Sequence, residues 1–383
     1  MLYIKIGCQV CFAAVVLVGH AIGARSKLSI PLTNTIDLYT MPMGVGEPPQ
    51  FRDLALDTGS FVAWCGAVKP YVVTKSTVDL HINMRINYGV GFVRGSYVND
   101  TITFESENGN ERIEIPQVTI AKAATSVGID GYDGVIGLNP APKDDPSVVE
   151  NRTLMTYMWN SGFLEKNMFS LSFKPTRSMT PEKNGVITFG GIEPSLFIGQ
   201  LYWYNCQTNG HWWDWTVTIS YGKTALSPGP IQGIFDTGFT LAPTLSDDLF
   251  SKYVASIPGA IWDHDDFVKN NPEWDVNPHL LKIPKTSISQ MNDLCFTASD
   301  QRPWCLNPEA QLIPEGVLPD DSYRYSYITP VCEIYHVRRS KTCGLILTVN
   351  LVGMKGHERY YVVYDSENYR IGLAETAWTN MKF

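Results

Sequence analysis

Basic charge and long apolar stretches are both scarce in this sequence. Its 30 Lys and Arg against 38 Asp and Glu give a net charge of -8. We expect no nucleic-acid partner, because binding phosphates requires a basic face. Beyond the N-terminus, no stretch approaches the roughly 18 uninterrupted apolar residues of a membrane-spanning helix, and the C-terminus has no hydrophobic tail. We therefore expect no membrane anchor.

Several motifs with known chemistry are also missing. The sequence has no Gly-x-Ser-x-Gly turn and no phosphate-binding glycine loop, which excludes the hydrolases and nucleotide-binding proteins that depend on them. No short repeat period is present, which excludes solenoids and propellers. Only His264, within the acidic segment 263–266, resembles a metal cluster. We interpret this segment as a solvated loop and expect no metal and no cofactor.

The first residues are typical of a secretory signal peptide. Lys5 provides the positive charge, residues 8–18 are almost wholly apolar, and small residues follow, with cleavage expected after Ala21 or Ala24. We therefore predict a signal peptide at 1–24 and a secreted, extracellular protein. Secretion also makes two Asn-x-Thr sequons candidate glycosylation sites. These sites are Asn99 and Asn151.

Of the eight cysteines, six follow the predicted signal peptide. An even number in an oxidising compartment is typical of disulfides. Two pairs are close in sequence and flank turn-like segments, so a hairpin would set their sulfur atoms opposite each other. The last two cysteines lie in different halves of the chain and remain as a third pair. The predicted pairs are Cys295 with Cys305, Cys332 with Cys343, and Cys65 with Cys206.

The tripeptide Asp-Thr-Gly occurs twice, as Asp57-Thr58-Gly59 and as Asp236-Thr237-Gly238. Each copy ends an apolar, strand-like run, 51–56 before the first and 231–235 before the second. A duplicated fold would bring the two carboxyl groups face to face, and two close carboxyls cannot both ionise easily. Such a pair shares one proton and is suited to activating a water molecule. The glycines allow a close backbone approach, and the threonine hydroxyls would cross-link the two loops.

A long imperfect repeat extends beyond the two tripeptides. Two branched apolar residues and a glycine follow in each half, at 135–137 and at 351–353. Alternating stretches such as 113–120 and 213–219 are typical of half-buried strands. The predicted helices are short: 154–159, and 246–254 with Ser246 as its N-cap. The sequence thus predicts a mainly β fold of two lobes, with the active-site cleft between them. The predicted units are an N-terminal lobe, 25–199, and a C-terminal lobe, 200–383.

These features resemble the pepsin-like aspartic protease family from about Leu32 to Trp378. The resemblance includes a serine, Ser60, directly after the first tripeptide, and Trp64 seven residues after Asp57. Residues 64–74 resemble in particular the polyporopepsin-like fungal branch. Further segments that match the family are 46–50, 88–91, 133–138, 189–192, 360–365 and 370–374.

The resemblance implies a role for each matching residue. Asp57 and Asp236 are expected to be catalytic and to activate the water. Ser60 is expected to bind the outer oxygen of Asp57, while Thr58 and Thr237 exchange hydrogen bonds beneath the pair. The other residues expected to support the active site are Gly59, Trp64 and Gly238. The residues expected to contact substrate are Tyr88, Gly89, Val90, Phe239 and Thr240.

Three departures from the family pattern stand out. Phe239 occupies the position where the second motif normally has Thr or Ser, so Asp236 is expected to lack a side-chain hydroxyl partner. Val90 replaces the usual hydroxyl residue of the flap, the hairpin that covers the cleft. The chain also leaves no room for a long prosegment between the predicted signal peptide and Asp57.

The resemblance implies a monomeric aspartic endopeptidase that cleaves polypeptide substrates at acidic pH and binds pepstatin-like inhibitors. The departures keep a second hypothesis open, a pepsin-like binding protein with weak or no activity. A glycosidase is a third, because paired carboxylates also serve that reaction. Four tryptophans could then form a sugar platform, although their spacing favours a strand and the core. They are Trp203, Trp212, Trp213 and Trp215.

Overall fold

The computed structural model describes residues 27–88, 91–105, 112–129, 131–140, 153–178, 180–207, 212–240, 243–262, 280–315, 322–330 and 350–382. Several positions predicted above lie outside these described residues. They are the signal peptide 1–24, the flap residues Gly89 and Val90, the sequon Asn151, the acidic segment 263–266, and the cysteines Cys332 and Cys343.

The part of the first half that the structure describes has ten strands and one α-helix. The strands are β1 (Leu28–Asn34), β2 (Tyr39–Val45), β3 (Gln50–Asp57), β4 (Trp64–Cys65), β5 (Val78–Asn87), β6 (Phe92–Glu105), β7 (Arg112–Val127), β8 (Gly134–Gly137), β9 (Met168–Ser172) and β10 (Glu182–Phe189). The helix is α1 (Leu154–Asn160). It overlaps the predicted helix, and the Thr153 side chain caps it by accepting from the Thr156 N–H at 3.1 Å.

Within the described residues of the second half there are thirteen strands and three short α-helices. The strands are β11 (Ile198–Asn205), β12 (Asp214–Tyr221), β13 (Thr224–Ala225), β14 (Ile231–Phe235), β15 (Thr244–Leu245), β16 (Lys282–Pro284), β17 (Leu294–Thr297), β18 (Pro303–Leu306), β19 (Tyr323–Tyr325), β20 (Thr329–Pro330), β21 (Asn350–Val352), β22 (Tyr360–Asp365) and β23 (Arg370–Glu375). The helices are α2 (Asp247–Ala255), α3 (Pro308–Gln311) and α4 (Met354–His357). Ser246 is the N-cap of α2, as predicted, but its side chain makes no capping hydrogen bond.

Two sheets dominate the architecture. One has thirteen strands in the order β11-β23-β22-β9-β10-β1-β2-β3-β8-β4-β7-β6-β5. The other has six strands, β18-β17-β12-β14-β21 with β13 paired to β12. The predicted class, a mainly β fold of two lobes, is confirmed. The predicted border at 199/200 falls inside β11, a strand that pairs with β23 in the large sheet.

The imperfect repeat seen in the sequence is also present in the strand pairing. In the first half, β3 runs parallel to β8, with Asp57 opposite Gly137. In the second half, β14 runs parallel to β21, with Phe235 opposite Val352. The two predicted apolar-apolar-glycine segments thus lie beside the strands that deliver the two Asp-Thr-Gly loops.

The core is rich in aromatic side chains. Trp213 and Trp215 are buried, as the period-two spacing predicts, whereas Trp212 is 39% exposed and Trp203 is half-buried. The Trp213 indole donates to the carbonyl of Leu138 at 2.9 Å and so joins the two halves of the chain. Other large side chains that are fully buried are Trp64, Tyr39, Tyr221, Tyr253, Tyr361, Tyr364, Phe104, Phe169, Phe173 and Phe189.

The disulfide predictions met different outcomes. Cys295 and Cys305 face each other on β17 and β18 and form the predicted bond, with an S–S distance of 2.06 Å. The predicted Cys65–Cys206 bond is wrong, because both thiols are free. Cys65 is buried in β4, while Cys206 directly follows β11, and eight other strands separate β4 from β11 in the order of the large sheet.

Two further observations bear on the predicted location of the protein. Within the described part of the chain, no helix is long and apolar enough to cross a membrane. The sequon residue Asn99 lies on β6, half-buried, and its side-chain oxygen accepts from the Thr119 hydroxyl at 2.8 Å. Glycosylation of Asn99 stays a prediction.

Candidate active site

Two strands deliver the two aspartates to one place. β3 ends at Asp57, which is only 7% exposed. β14 ends at Phe235, directly before Asp236, whose N–H donates to the carbonyl of Val352 at 3.1 Å. Because both strands are locked to a parallel neighbour, the position of each carboxyl group is set by the sheet rather than by a mobile loop.

The two threonines tie the loops together by matching hydrogen bonds. The Thr58 hydroxyl donates to the carbonyl of Phe235 at 2.9 Å and accepts from the Thr237 N–H at 3.0 Å. The Thr237 hydroxyl donates to the carbonyl of Leu56 at 2.9 Å and accepts from the Thr58 N–H at 3.1 Å. Both threonines are buried, so these four bonds fix the separation of the two loops away from water.

The glycines bring each loop against the opposite carboxyl group. A Cβ atom added at Gly59 would lie 2.5 Å from Oδ1 of Asp236, and one added at Gly238 would lie 2.5 Å from Oδ1 of Asp57. No side chain fits at either position. The reciprocal contact means that the two carboxyl groups face each other across the two glycines, as the sequence predicts.

The two carboxyl groups differ in their hydrogen-bond partners. Asp57 accepts from the Gly59 N–H at 2.8 Å and from the Ser60 hydroxyl at 2.5 Å. Asp236 accepts from the Gly238 N–H at 2.9 Å. Phe239 occupies the position that corresponds to Ser60, and it offers no hydroxyl. The predicted asymmetry between the two loops is therefore present in the site.

This asymmetry separates the acidities of the pair. Burial raises the pKa of Asp57, but the Ser60 hydroxyl stabilises its charged form and opposes that rise. Burial raises the pKa of Asp236 well above its usual value, and the negative charge of Asp57 adds to the rise. The Ser60 hydroxyl thus favours the charged form of Asp57, while the charge of Asp57 favours the protonated form of Asp236.

A hairpin covers the first loop. β5 and β6 form an antiparallel pair, and Tyr88 at the end of β5 exchanges backbone hydrogen bonds with Gly91. The phenol oxygen of Tyr88 accepts from the Trp64 indole at 2.7 Å. Burial and the charge of Asp57 both raise the pKa of Tyr88, so its phenol is neutral. Tyr88 and Trp64 thus lie where the sequence predicts the flap contact.

The remaining predicted contacts belong to the second loop. Phe239 and Thr240 are half-buried. The carbonyl of Phe239 accepts from the Met354 N–H at 2.7 Å, and that of Thr240 accepts from the Lys355 N–H at 3.4 Å. The backbone that follows Asp236 is therefore tied to the first residues of α4.

Two groups below the pair were missed by the sequence analysis. His357, at the end of α4, contacts the carbonyl of Gly353 through Nδ1 at 2.8 Å and the hydroxyl of Tyr364 through Nε2 at 2.6 Å. Both residues are buried. The sequence does contain a hint, a lone histidine between the second apolar-apolar-glycine segment and the strand that contains Tyr364, but only the fold brings it against Phe235, next to Asp236.

A metal centre has no basis in the described residues. They contain no group of three or more His, Cys, Asp or Glu side chains that could hold a metal ion.

Comparison with known proteins places this geometry in a family. The sequence model of the family described as eukaryotic aspartyl protease matches residues 38–297. Polyporopepsin from Irpex lacteus is 29% identical over 362 residues, which cover 92% of this chain and 98% of that protein. Pepsin A from Suncus murinus is 27% identical over 366 residues, covering 91% of this chain and 83% of that protein.

A solved structure agrees with the sequence comparisons. The crystal structure of the aspartic proteinase from Irpex lacteus matches with a TM-score of 0.77 at 28% identity, over 92% of this chain and 98% of that one. The pepsin-like fold expected from the sequence is thereby confirmed. The chain belongs to the eukaryotic aspartyl protease family and is a pepsin-like aspartic endopeptidase.

Proposed function

We propose that this endopeptidase works at acidic pH through a water molecule activated jointly by Asp57 and Asp236. The observation that carries the proposal is the reciprocal placement of the two carboxyl groups over Gly59 and Gly238, at 2.5 Å from the positions of the missing Cβ atoms. Two facing carboxyl groups of unequal acidity supply a base for the attacking water and an acid for the carbonyl oxygen of the same peptide bond.

The proposed reaction starts with Asp57 ionised and Asp236 protonated. The carboxylate of Asp57 takes a proton from the water, whose oxygen attacks the carbonyl carbon of the peptide bond. Asp236 gives its proton to the carbonyl oxygen, which leaves a neutral tetrahedral intermediate. Asp57 then donates its proton to the leaving nitrogen while Asp236 recovers a proton from a hydroxyl of the intermediate. The C–N bond breaks, and the pair returns to its starting state.

The pH dependence follows from the single shared proton. As pH rises, Asp236 loses the proton that the carbonyl oxygen needs, and activity falls. As pH drops below the range in which Asp57 is ionised, the base is lost and activity falls again. The result is a bell-shaped profile that belongs to the pair rather than to either residue.

The substrate proposed for the cleft is an extended polypeptide. Tyr88 closes over it from the flap, while Gly89, Val90, Phe239 and Thr240 contact it from the flap tip and the second loop. Half-buried aromatic rings at 88 and 239 favour apolar side chains beside the cleaved bond. A pepstatin-like inhibitor would occupy the same cleft.

The cellular setting is proposed from the sequence. Removal of the signal peptide at 1–24 would yield a secreted monomer without a membrane anchor. In this monomer, the N-terminal lobe (25–199) would supply Asp57 and the C-terminal lobe (200–383) would supply Asp236. Glycosylation at Asn99 and Asn151 and a disulfide between Cys332 and Cys343 belong to the same proposal.

Digestion of a denatured protein at about pH 3–5, with and without pepstatin, tests the function. We expect pepstatin-sensitive cleavage, and we expect Asp57→Asn to lower kcat by about 10²–10⁴-fold, the contribution of a general base. Asp53→Asn is the matched control, since Asp53 is an exposed aspartate on the same strand. A wild-type protein that binds pepstatin but cleaves nothing at any pH would favour the pepsin-like binding protein instead.

A further inference from the structure

Below the two aspartates lies a buried histidine that the proposed hydrolysis does not use. His357 is 1% exposed and is enclosed by aromatic rings. The ring centroids of Phe235 and Phe173 lie 5.5 Å and 6.0 Å from that of the imidazole. Phe235 directly precedes Asp236, so the imidazole packs against the strand that positions the second carboxyl group.

The hydrogen bonds of His357 define its state. The Gly353 carbonyl can only accept, so Nδ1 must carry a proton. In the neutral ring Nε2 then has a free lone pair, which accepts the hydroxyl proton of Tyr364. A doubly protonated ring would have to donate at Nε2, and the Tyr364 hydroxyl would have to turn away and find another acceptor.

Tyr364 is held firmly at the other end of this hydrogen bond. Its ring is stacked on Phe169 at 4.6 Å and edge-on to Trp213 at 5.1 Å. Burial raises its pKa, the hydroxyl of Thr58 lowers it, and the charge of Asp236 raises it. The phenol therefore lies near both loops, while its own proton is donated to His357.

Charged groups near His357 are already paired. On its own element, Lys355 forms a buried ion pair with Glu358 at 2.9 Å, and Arg359 donates to the carbonyl of Trp378 at 3.2 Å. The titratable groups that face it from another element are Tyr364 and Tyr360 on β22. Burial lowers the pKa of His357 from 6.5 to about 4, and the Gly353 carbonyl opposes that shift.

We propose that His357 is a positioning residue of the active site. In its neutral form it joins Tyr364 to Gly353, whose neighbour Val352 accepts from the Asp236 N–H. Its protonation at low pH breaks the hydrogen bond to Tyr364 and adds to the loss of activity that protonation of Asp57 causes on the acid side. The inference rests on the proposed function, because it assumes that the spacing of the two loops governs the activation of water.

Two kinds of variant separate the protonation of His357 from its hydrogen bond to Tyr364. His357→Gln cannot take up a proton but keeps an amide that can donate and accept, so we expect the acid limb of its kcat profile to extend to lower pH. Tyr364→Phe and His357→Leu break the linkage at every pH. We expect each to lower kcat about 10-fold with little change in KM, the size of one lost buried hydrogen bond. His81→Gln is the control, because the His81 side chain is 88% exposed.

Pepstatin binding is measured across the same pH range, since it reports the geometry of the pair without turnover. An unchanged acid limb in His357→Gln, for turnover and for pepstatin binding alike, would overturn the positioning role. So would full kcat in Tyr364→Phe and His357→Leu. Absence of turnover in the wild type would instead overturn the proposed function, and the pH dependence of pepstatin binding would still decide the role of His357.

Discussion

The two Asp-Thr-Gly loops share one backbone design but have different surroundings. Each aspartate accepts from the N–H of its own glycine, at 2.8 Å for Asp57 and 2.9 Å for Asp236, and each threonine bonds to the other loop. Asp57 also has the Ser60 hydroxyl at 2.5 Å. At the corresponding position, the second loop has Phe239.

In the proposed mechanism, this difference makes one copy of a duplicated motif the base and the other the acid. The matching hydrogen bonds hold the two carboxyl groups close together, where they cannot both be charged easily. The unequal hydrogen-bond partners then favour ionisation of one of them. The Ser60 hydroxyl favours the carboxylate of Asp57, and the lack of a hydroxyl at Phe239 favours the protonated form of Asp236.

Of the variants that test this comparison of the two loops, those of the two threonines should have the largest effect. Thr58→Val leaves the Phe235 carbonyl and the Thr237 N–H without a partner in the core, and each such buried group costs about 1–3 kcal/mol of the free energy of unfolding. Thr237→Val should cost a similar amount, because its bonds are the mirror of those of Thr58. Denaturant unfolding measures both losses.

Thr125→Val on β7 is the control for these variants, since Thr125 is exposed. If only one of the two variants lowers the free energy of unfolding, the reciprocal hydrogen bonds of Thr58 and Thr237 do not contribute equally to holding the loops together. A larger loss of stability in Thr58→Val than in Thr237→Val would show that the first loop has an additional contact, because Thr58 is the threonine that lies near Tyr364.

Removing the first loop's hydroxyl should have the next largest effect. Ser60→Ala deletes a hydrogen bond to a charged group, worth about 1.5–3 kcal/mol. The charged form of Asp57 becomes less favourable, its pKa rises, and the acid limb of kcat/KM moves to higher pH. We expect activity at the acid end to fall at least about 10-fold. Ser251→Ala, at an exposed position of α2, is the control; an unmoved acid limb would contradict the assignment of Asp57 as the base.

Adding a hydroxyl to the second loop should have the smallest effect and the opposite direction. In Phe239→Thr, a new donor stabilises the charged form of Asp236 and lowers its pKa. The basic limb of the profile then moves to lower pH, while the acid limb stays in place. Phe239→Val, which removes the ring without adding a donor, separates the hydroxyl effect from loss of the aromatic contact. Profiles identical to the wild type would show that Phe239 does not influence the pair.

The local predictions succeeded where the answer depended on neighbours in the sequence. Cys295 and Cys305 pair because a short hairpin sets them opposite each other, and Ser246 starts α2 because a half-buried polar residue precedes an apolar-periodic run. The prediction for Cys65 and Cys206 failed, since it rested on elimination and not on any local geometry. Nothing in the sequence states how far apart two distant strands will lie.

The sequence alone determined the two aspartates, their threonine and glycine neighbours and the missing hydroxyl at Phe239, because each is part of a short motif with its own chemistry. Tertiary structure decided how far burial and neighbouring charge shift the pKa of each carboxyl group, and which distant groups lie near the pair. His357 reaches the Tyr364 hydroxyl only when α4 packs against β22. Acidity depends on burial and on charges brought close by folding, and neither quantity exists in an unfolded chain.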